Sequence, residues 1–198
     1  MPADFLVRDD FITPAQADEV EKLMFGNFFP WYFLDNTTTQ QGKRHWSEVE
    51  CAMHVHNLFF QGSVNNPGYQ QILKEFGLPH ETLIRMKANM VMARPFEFRH
   101  TPYHVDRLDA HYTIVYYVND SSGATILKSR SGLRKVAPRK GRIVLFDGSL
   151  MHAHYLPARK PRCVINFNFS AYPLAGPAPF PATPVDVGAQ RARVQDRA

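Results

Sequence analysis

The sequence predicts a mainly β domain of the sandwich or barrel type with helices at its flank, and three observations carry that prediction. From residue 81 the apolar period is two: Ile84, Met86, Ala88, Met90 and Met92 fall on one side of an extended chain, with Arg85, Lys87, Asn89 and Val91 on the other. Four more strand-like runs follow, at 111–118, 124–127, 142–146 and 162–169, separated by turn chemistry such as Asn119-Asp120-Ser121-Ser122-Gly123 and Asp147-Gly148. Short strands at that spacing close into a sandwich or a barrel. Before residue 81 the grammar is helical instead.

Thr13 reads as a helix N-cap, Pro14 as the first helical residue and Gln16 as the partner that completes a capping box, so a helix is expected over 14–25. Val20, Leu23 and Met24 form its apolar stripe and Gly26 its stop. The run Phe28-Phe29-Pro30-Trp31-Tyr32-Phe33 is aromatic enough that it is expected to pack beneath the main sheet. Asn66-Pro67-Gly68 opens a second helix, over 67–76, with Tyr69, Ile72, Leu73 and Phe76 at helical spacing and Gly77 as terminator. Pro173, Pro177, Pro179, Pro181 and Pro184 exclude a helix or central strand from the last segment, so 173–198 is expected to be a loose tail.

The 198 residues, 44% of them hydrophobic, fit a single domain over 1–172: a helical support region to residue 80, then the β core over 81–172. No apolar run is long enough for a membrane span and no export signal is read, so the expectation is a cytoplasmic protein without a membrane partner. Cys51 and Cys163 match no disulfide, zinc or redox pattern and read as structural. The net charge of +5 does not call for nucleic acid, and the cluster Arg130, Arg134, Lys135, Arg139, Lys140 and Arg142 reads as a solvated basic face or a patch that steers an acidic ligand.

Chemistry concentrates in the second half. His104-Val105-Asp106 sets an imidazole and a carboxylate on the same side of an extended chain, a weak signal alone. His152, just after an apolar strand, adds a second imidazole. Two His and one carboxylate form the facial triad of non-haem iron, which leaves three coordination positions open. A 2-oxo acid takes two of them and dioxygen the third. On the polar side of the last strand, with Val164, Asn166 and Asn168, Arg162 can grip the distal carboxylate of 2-oxoglutarate through two parallel charge-assisted hydrogen bonds.

These residues resemble the prolyl-4-hydroxylase-like branch of the iron(II) and 2-oxoglutarate dioxygenases. The matching segments are Tyr103-His104-Val105-Asp106, Ile114-Val115-Tyr116-Tyr117-Val118-Asn119, then 123–127, 138–146 and 152–169, in that order, and the resemblance covers residues 5–172. It implies a double-stranded β-helix (jelly roll, cupin-like) with N-terminal helical support. It further implies iron(II) held by His104, Asp106 and His152, 2-oxoglutarate held by Arg162, dioxygen as oxidant, and ascorbate as an optional reductant. Tyr117 matches a family tyrosine that helps hold the distal carboxylate, and Tyr116 then faces away. Val164 stands where many relatives carry a Ser, so another residue must complete the grip, and Thr125 or Tyr117 could do it.

His154 is an alternative second imidazole, but the spacing of ten to Arg162 favours His152. His54, His56 and His111 read as structural, and Arg107 as an ion-pair partner or a residue of the pocket rim. The stretch from Arg94 to Arg99 lies where relatives select substrates and matches no known signature. The implied reaction couples decarboxylation of the keto acid to succinate and carbon dioxide with hydroxylation of an amino-acid-like, peptidyl or other small substrate. An intact Asp106 argues against halogenation. Two alternatives stand beside this reading: a nucleic-acid-modifying enzyme of the alkylation-repair type, disfavoured because Asn168 replaces that group's second Arg, and a non-enzymatic β-sandwich binding module.

Overall fold

The computed structural model of the chain describes residues 4–35, 48–49, 51–66, 68–95 and 99–185. Eleven strands and two helices follow in the order β1 (Phe5–Arg8), α1 (Pro14–Phe25), β2 (Tyr32–Leu34), β3 (Met53–Phe60), β4 (Ser63–Val64), α2 (Tyr69–Phe76), β5 (Leu83–Val91), β6 (Tyr112–Tyr117), β7 (Ala124–Ser129), β8 (Gly132–Val136), β9 (Ile143–Asp147), β10 (His152–Tyr155) and β11 (Arg162–Phe169). A large antiparallel sheet runs β1-β9-β6-β11-β5-β3-β2, with β4 paired to β3, and a small sheet runs β10-β7-β8. The two sheets face each other in a double-stranded β-helix, the fold expected.

The large sheet is covered on both faces, so β6 and β9 are buried along their whole length and β11 everywhere but at Asn166. One face carries Met86, Ile114, Tyr116, Cys163, Ile165, Phe167 and Phe169, which pack against Ala17, Val20 and Met24 of α1 and Ile72, Leu73 and Phe76 of α2. Phe76 sits 4.6 Å from Tyr116 and 5.8 Å from Phe167, ring centre to ring centre, and each such pair adds about 1 kcal/mol to the area it buries. The opposite face, turned toward the small sheet, carries Val115, Tyr117, Val144, Phe146 and Val164 with Leu127 and Val136. Alternation along β5, β6 and β11 therefore divides core from interior as the period of two requires.

Helix α1 has the predicted capping box, with Thr13 and Gln16 bonded reciprocally. Its buried stripe is Ala17, Val20 and Met24, whereas Leu23 is half exposed. Helix α2 starts at Tyr69, the expected Pro67 lies outside the described residues, and Gly77 closes the helix at φ 63°, a left-handed conformation that glycine adopts without a Cβ clash.

Three expectations need correction. Of the aromatic run, only Phe29 is buried; Phe28 is exposed in the turn after α1, and Tyr32 and Phe33 are exposed in β2, an edge strand that pairs only with β3 among the described residues. The region before residue 81 is not purely helical: β1 and β3 complete the large sheet beside β9 and β5. The prolines from 173 onward do not produce a loose segment as far as residue 185. Phe180 is buried in the core, the Tyr112 hydroxyl donates to its carbonyl, and Val185 N–H donates to the Leu108 carbonyl, so extended chain with few internal bonds is held by the domain it crosses. The Arg-rich end of the tail lies outside the described residues.

Candidate metal centre and its cavity

His104 and His152 meet because their backbones pair. Each N–H donates to the other's carbonyl, at 2.9 and 2.8 Å, in an isolated antiparallel bridge between the loop after β5 and the start of β10. Residues paired in that way carry their side chains on one face, and the two imidazole centres are 4.5 Å apart. Nδ1 of His104 bonds the Pro102 carbonyl at 3.2 Å and Nδ1 of His152 the Leu150 carbonyl at 3.1 Å. With Nδ1 as donor, Nε2 of both rings is left with a free lone pair, the tautomer that a ligating imidazole needs. Burial, reinforced by the charge of His104, pushes the His152 imidazole down to about 4, so it is neutral.

Asp106 completes the group: one ligand atom from each of His104, Asp106 and His152 lies within 4.8 Å of the others. The carboxylate is held from two sides by adjacent strands. Arg85 of β5 places a guanidinium nitrogen 2.8 Å from Oδ1, and Asn168 of β11, directly across from Arg85 in the register, donates to Oδ2 at 3.1 Å. Burial alone would raise the Asp106 carboxyl, but Arg85, the two imidazoles and Asn168 together outweigh it and keep the acid well below the usual range, ionised. Two imidazoles and a carboxylate fit a divalent first-row metal and leave coordination positions for other ligands.

The three groups open into a cavity of about 420 Å³ between the sheets, walled also by Lys87, Asn89, Val91, Thr125, Val164, Asn166 and Arg162. Arg162 is only 5% exposed and has no carboxylate partner among the described residues. Its Nη2 donates to Thr125 Oγ1 at 2.8 Å, the Tyr117 hydroxyl donates to the same oxygen at 2.6 Å, and its Nε is buried without a partner. Desolvation lowers the guanidinium from its ordinary value. A buried cation with an unfilled donor fits an anionic ligand group. Gly123 lets the arginine lie there: a Cβ at that position would stand 2.8 Å from the Tyr155 carbonyl and 3.3 Å from Arg162 Cδ. Tyr117 faces this interior and Tyr116 the opposite core.

The remaining sequence candidates find structural roles. His154 pairs across from Thr125, and its N–H donates to the Thr101 hydroxyl; it is not part of the His104, Asp106 and His152 group. His56 bonds the Pro30 carbonyl and His111 the Asp109 carbonyl, each at 2.7 Å. Arg107 pairs with Asp109 at 2.9 Å. Cys51 and Cys163 are free and buried, and burial pushes their thiols up to about 11 and about 12. In the basic cluster, Arg139 and Arg142 pair with Asp9, and Lys140 with Asp18 and Glu21, so those three cations tie β9 and its approach to the N-terminal region rather than forming an open face. Phe96, Glu97 and Phe98 of the expected substrate-selecting stretch lie outside the described residues.

Sequence reasoning did not assign Arg85, Lys87 or Asn89 to the site. The signal was present: three polar residues at alternate positions on the non-core face of a central strand, where a buried sheet offers no water to solvate them.

Fold and site together define a double-stranded β-helix whose cavity is lined by a His-Asp-His group that could hold a metal ion. No family model matches the chain, and no curated protein matches its sequence. Among solved structures, an oxidoreductase of the 2OG-Fe(II) oxygenase family from Burkholderia pseudomallei is similar at TM-score 0.65 and 12% identity, over 86% of this chain and 86% of that one. A prolyl hydroxylase from Trichoplax adhaerens, in complex with a peptide of hypoxia inducible factor, is similar at 0.59 and 13%, over 84% and 83%. The alpha ketoglutarate dependent epimerase SnoN of nogalamycin biosynthesis is similar at 0.59 and 11%, over 93% and 91%. At these identities the likeness is one of fold.

Among the described residues, no helix is long and apolar enough to cross a membrane.

Proposed function

We propose that this chain is an iron(II)- and 2-oxoglutarate-dependent dioxygenase that hydroxylates an amino-acid-like, peptidyl or other small substrate and releases succinate and carbon dioxide. The observation that carries the reading is one cavity with two complementary ends: the group of His104, Asp106 and His152 at one, and at the other the buried Arg162, which has no carboxylate partner among the described residues. A dicarboxylate keto acid has the matching polarity, a chelating end for a metal and an anionic end for a guanidinium. When bound, iron and the keto acid supply an activation of dioxygen that no side chain can provide.

The chain's own residues supply the positioning. The Pro102 and Leu150 carbonyls fix the imidazole tautomers, and Arg85 with Asn168 fixes the Asp106 carboxylate. Thr125, itself bonded by Tyr117, aims the Arg162 fork and does in this chain the service that Val164 cannot. The apolar walls at Val91, Val115 and Val164 keep bulk water from competing with those bonds. The fold alone does not select hydroxylation, since it also serves an epimerase and a carbocyclase; Asp106, which keeps the carboxylate position filled, supports hydroxylation over halogenation.

The test is succinate release in the presence of iron(II), ascorbate and 2-oxoglutarate across a panel of amino acids, peptides and small molecules. The expected result is metal-dependent release by the natural chain, abolished in His104→Ala and Asp106→Ala. Release by the natural chain no greater than by those variants rules the reading out.

A further inference from the structure

The cavity walls hold three cations against one carboxylate: Arg85, Lys87 and Arg162 against Asp106. Arg85 is engaged by Asp106 at 2.8 Å. Arg162 is matched, under the reading above, by the distal carboxylate of the keto acid. Lys87 has neither a hydrogen bond nor an ion pair among the described residues. Burial opposes its charge, as does Arg85 two residues away, and together they outweigh the attraction of Asp106, which makes no ion pair with it, and lower the ammonium from its ordinary value. A partly desolvated ammonium with no hydrogen-bond or ion-pair partner among the described residues is a place where a ligand supplies one.

Its position says which ligand. The interior face of β5 reads Arg85, Lys87, Asn89, Val91, and in the register with β11 Arg85 lies opposite Asn168 while Val91 lies opposite Arg162. At the rise of an extended strand, Lys87 is about 7 Å along β5 from the Asp106 end and about 13 Å from the Arg162 end. It therefore stands beside the metal group rather than beside the distal carboxylate. Directly across from it is Asn166, whose Oδ1 is buried and unpartnered. The two neighbours make one recognition unit: an ammonium for an anion and an amide oxygen for a hydrogen-bond donor next to it. No residue of α1 or α2 lines the cavity, so no helix N-terminus is on hand to help balance a doubly charged phosphate.

We propose that Lys87 and Asn166 form the recognition subsite for the substrate that is oxidised, and that this substrate carries a carboxylate, bound by Lys87, adjacent to an N–H or O–H group that donates to Asn166. The proposal rests on the dioxygenase reading and narrows its substrate class to small carboxylic acids such as free amino acids or hydroxy acids.

The test uses the full chain loaded with Mn(II) and saturated with 2-oxoglutarate, so that Arg162 is already occupied. Acetate labelled with carbon-13 is titrated in, and separately acetamide of the same shape without charge; broadening of the labelled resonance by the paramagnetic ion reports occupancy near the metal. Saturable broadening is expected for acetate and none for acetamide. Lys87→Met weakens acetate about tenfold or more, the loss of one charge-assisted hydrogen bond, and Lys87→Arg restores it to within about threefold. The affinity of Lys87→Met for 2-oxoglutarate stays within about twofold of the natural chain, a change too small for the loss of a charge contact.

Acetate that binds no better than acetamide overturns the proposal, as does acetate binding that survives in Lys87→Met. A variant that loses 2-oxoglutarate and keeps acetate assigns Lys87 to the keto acid and likewise overturns it. Failure of Mn(II) and 2-oxoglutarate to bind at all sinks the dioxygenase reading itself, an outcome distinct from their binding without acetate.

Discussion

Replacing Arg85 by Met isolates the electrostatics of the candidate metal centre. The guanidinium lies 2.8 Å from a carboxylate whose side chain is 8% exposed, and Arg85 itself is 17% exposed. Removing one partner of such a pair leaves a buried charge uncompensated apart from the Asn168 amide, which costs about 3 kcal/mol at the lower end of the usual range. For a chain of this length that lowers the melting temperature by roughly 6–12 °C. A divalent ion changes the balance, because it supplies the counter-charge that Arg85 no longer provides. The loss is therefore expected in the metal-free protein and shrinks by at least half with saturating Mn(II), which is the same as saying that the variant binds the metal more tightly relative to its own folded state. Thermal melts of both proteins with and without Mn(II) check this. An equal loss in the two conditions refutes the reasoning, since Arg85 would then be acting through packing and not through the Asp106 charge.

Three further outcomes follow from the same geometry. Arg162→Met lowers the affinity of the Mn(II)-loaded chain for 2-oxoglutarate by about a hundredfold or more, since it removes two charge-assisted hydrogen bonds; titration of the cosubstrate reads it, and Arg162→Lys recovers only part. Thr183→Val removes the hydroxyl that bonds Asp147 and Ser149 near the start of β10, and costs about 1–3 kcal/mol by leaving the Asp147 carboxylate short of a donor; Thr183→Ser restores stability in a denaturant titration. The His152 imidazole is pushed down to about 4 in the fold, against about 6.5 in the unfolded chain. A lowered value means that the stabilisation is whole above the unfolded value and is lost as the pH falls through the folded one, so the metal-free protein loses about 3 kcal/mol from this group between neutral pH and pH 4. Denaturant titrations in that window, repeated on His152→Gln, should show the loss in the natural chain and a shallower one in the variant.

The parts of the fold legible in the sequence are those where one signal acts alone. Helix α1 was readable because Thr13, Pro14 and Gln16 fix its start locally, and β11 because its core face and polar face alternate without interruption from Arg162 to Phe169. Strand β3 was not, because Met53-His54-Val55-His56 sets two histidines at alternate positions where a strand pattern expects β-branched or aromatic side chains, although both lie in a strand near the sheet edge. Strand β10 was missed for a related reason: its four residues include two histidines and no β-branched side chain. The order of the strands is likewise beyond local pattern, since β1 pairs with β9 across most of the chain.

At the candidate site, the meeting of His104, Asp106 and His152 in a cavity that Arg162 also lines was legible through residue type and spacing, whereas the contacts of Arg85 and Asn168 with Asp106 were not, because they depend on the register that sets β5 against β11. The segment to residue 185 was misread as loose because proline forbids regular structure but not docking: Phe180 and the Val185 N–H find partners on the core and on the loop that carries Asp106.

The most direct test of the central claim is an anaerobic titration of the metal-free chain with iron(II) in the presence of 2-oxoglutarate, followed by visible absorption. A chelated keto acid on a facial triad gives a charge-transfer band, and the account predicts that it saturates at about one iron per chain and is absent in His104→Ala, Asp106→Ala and His152→Ala. No iron-dependent band, or a band of the same strength in the three variants, would contradict it.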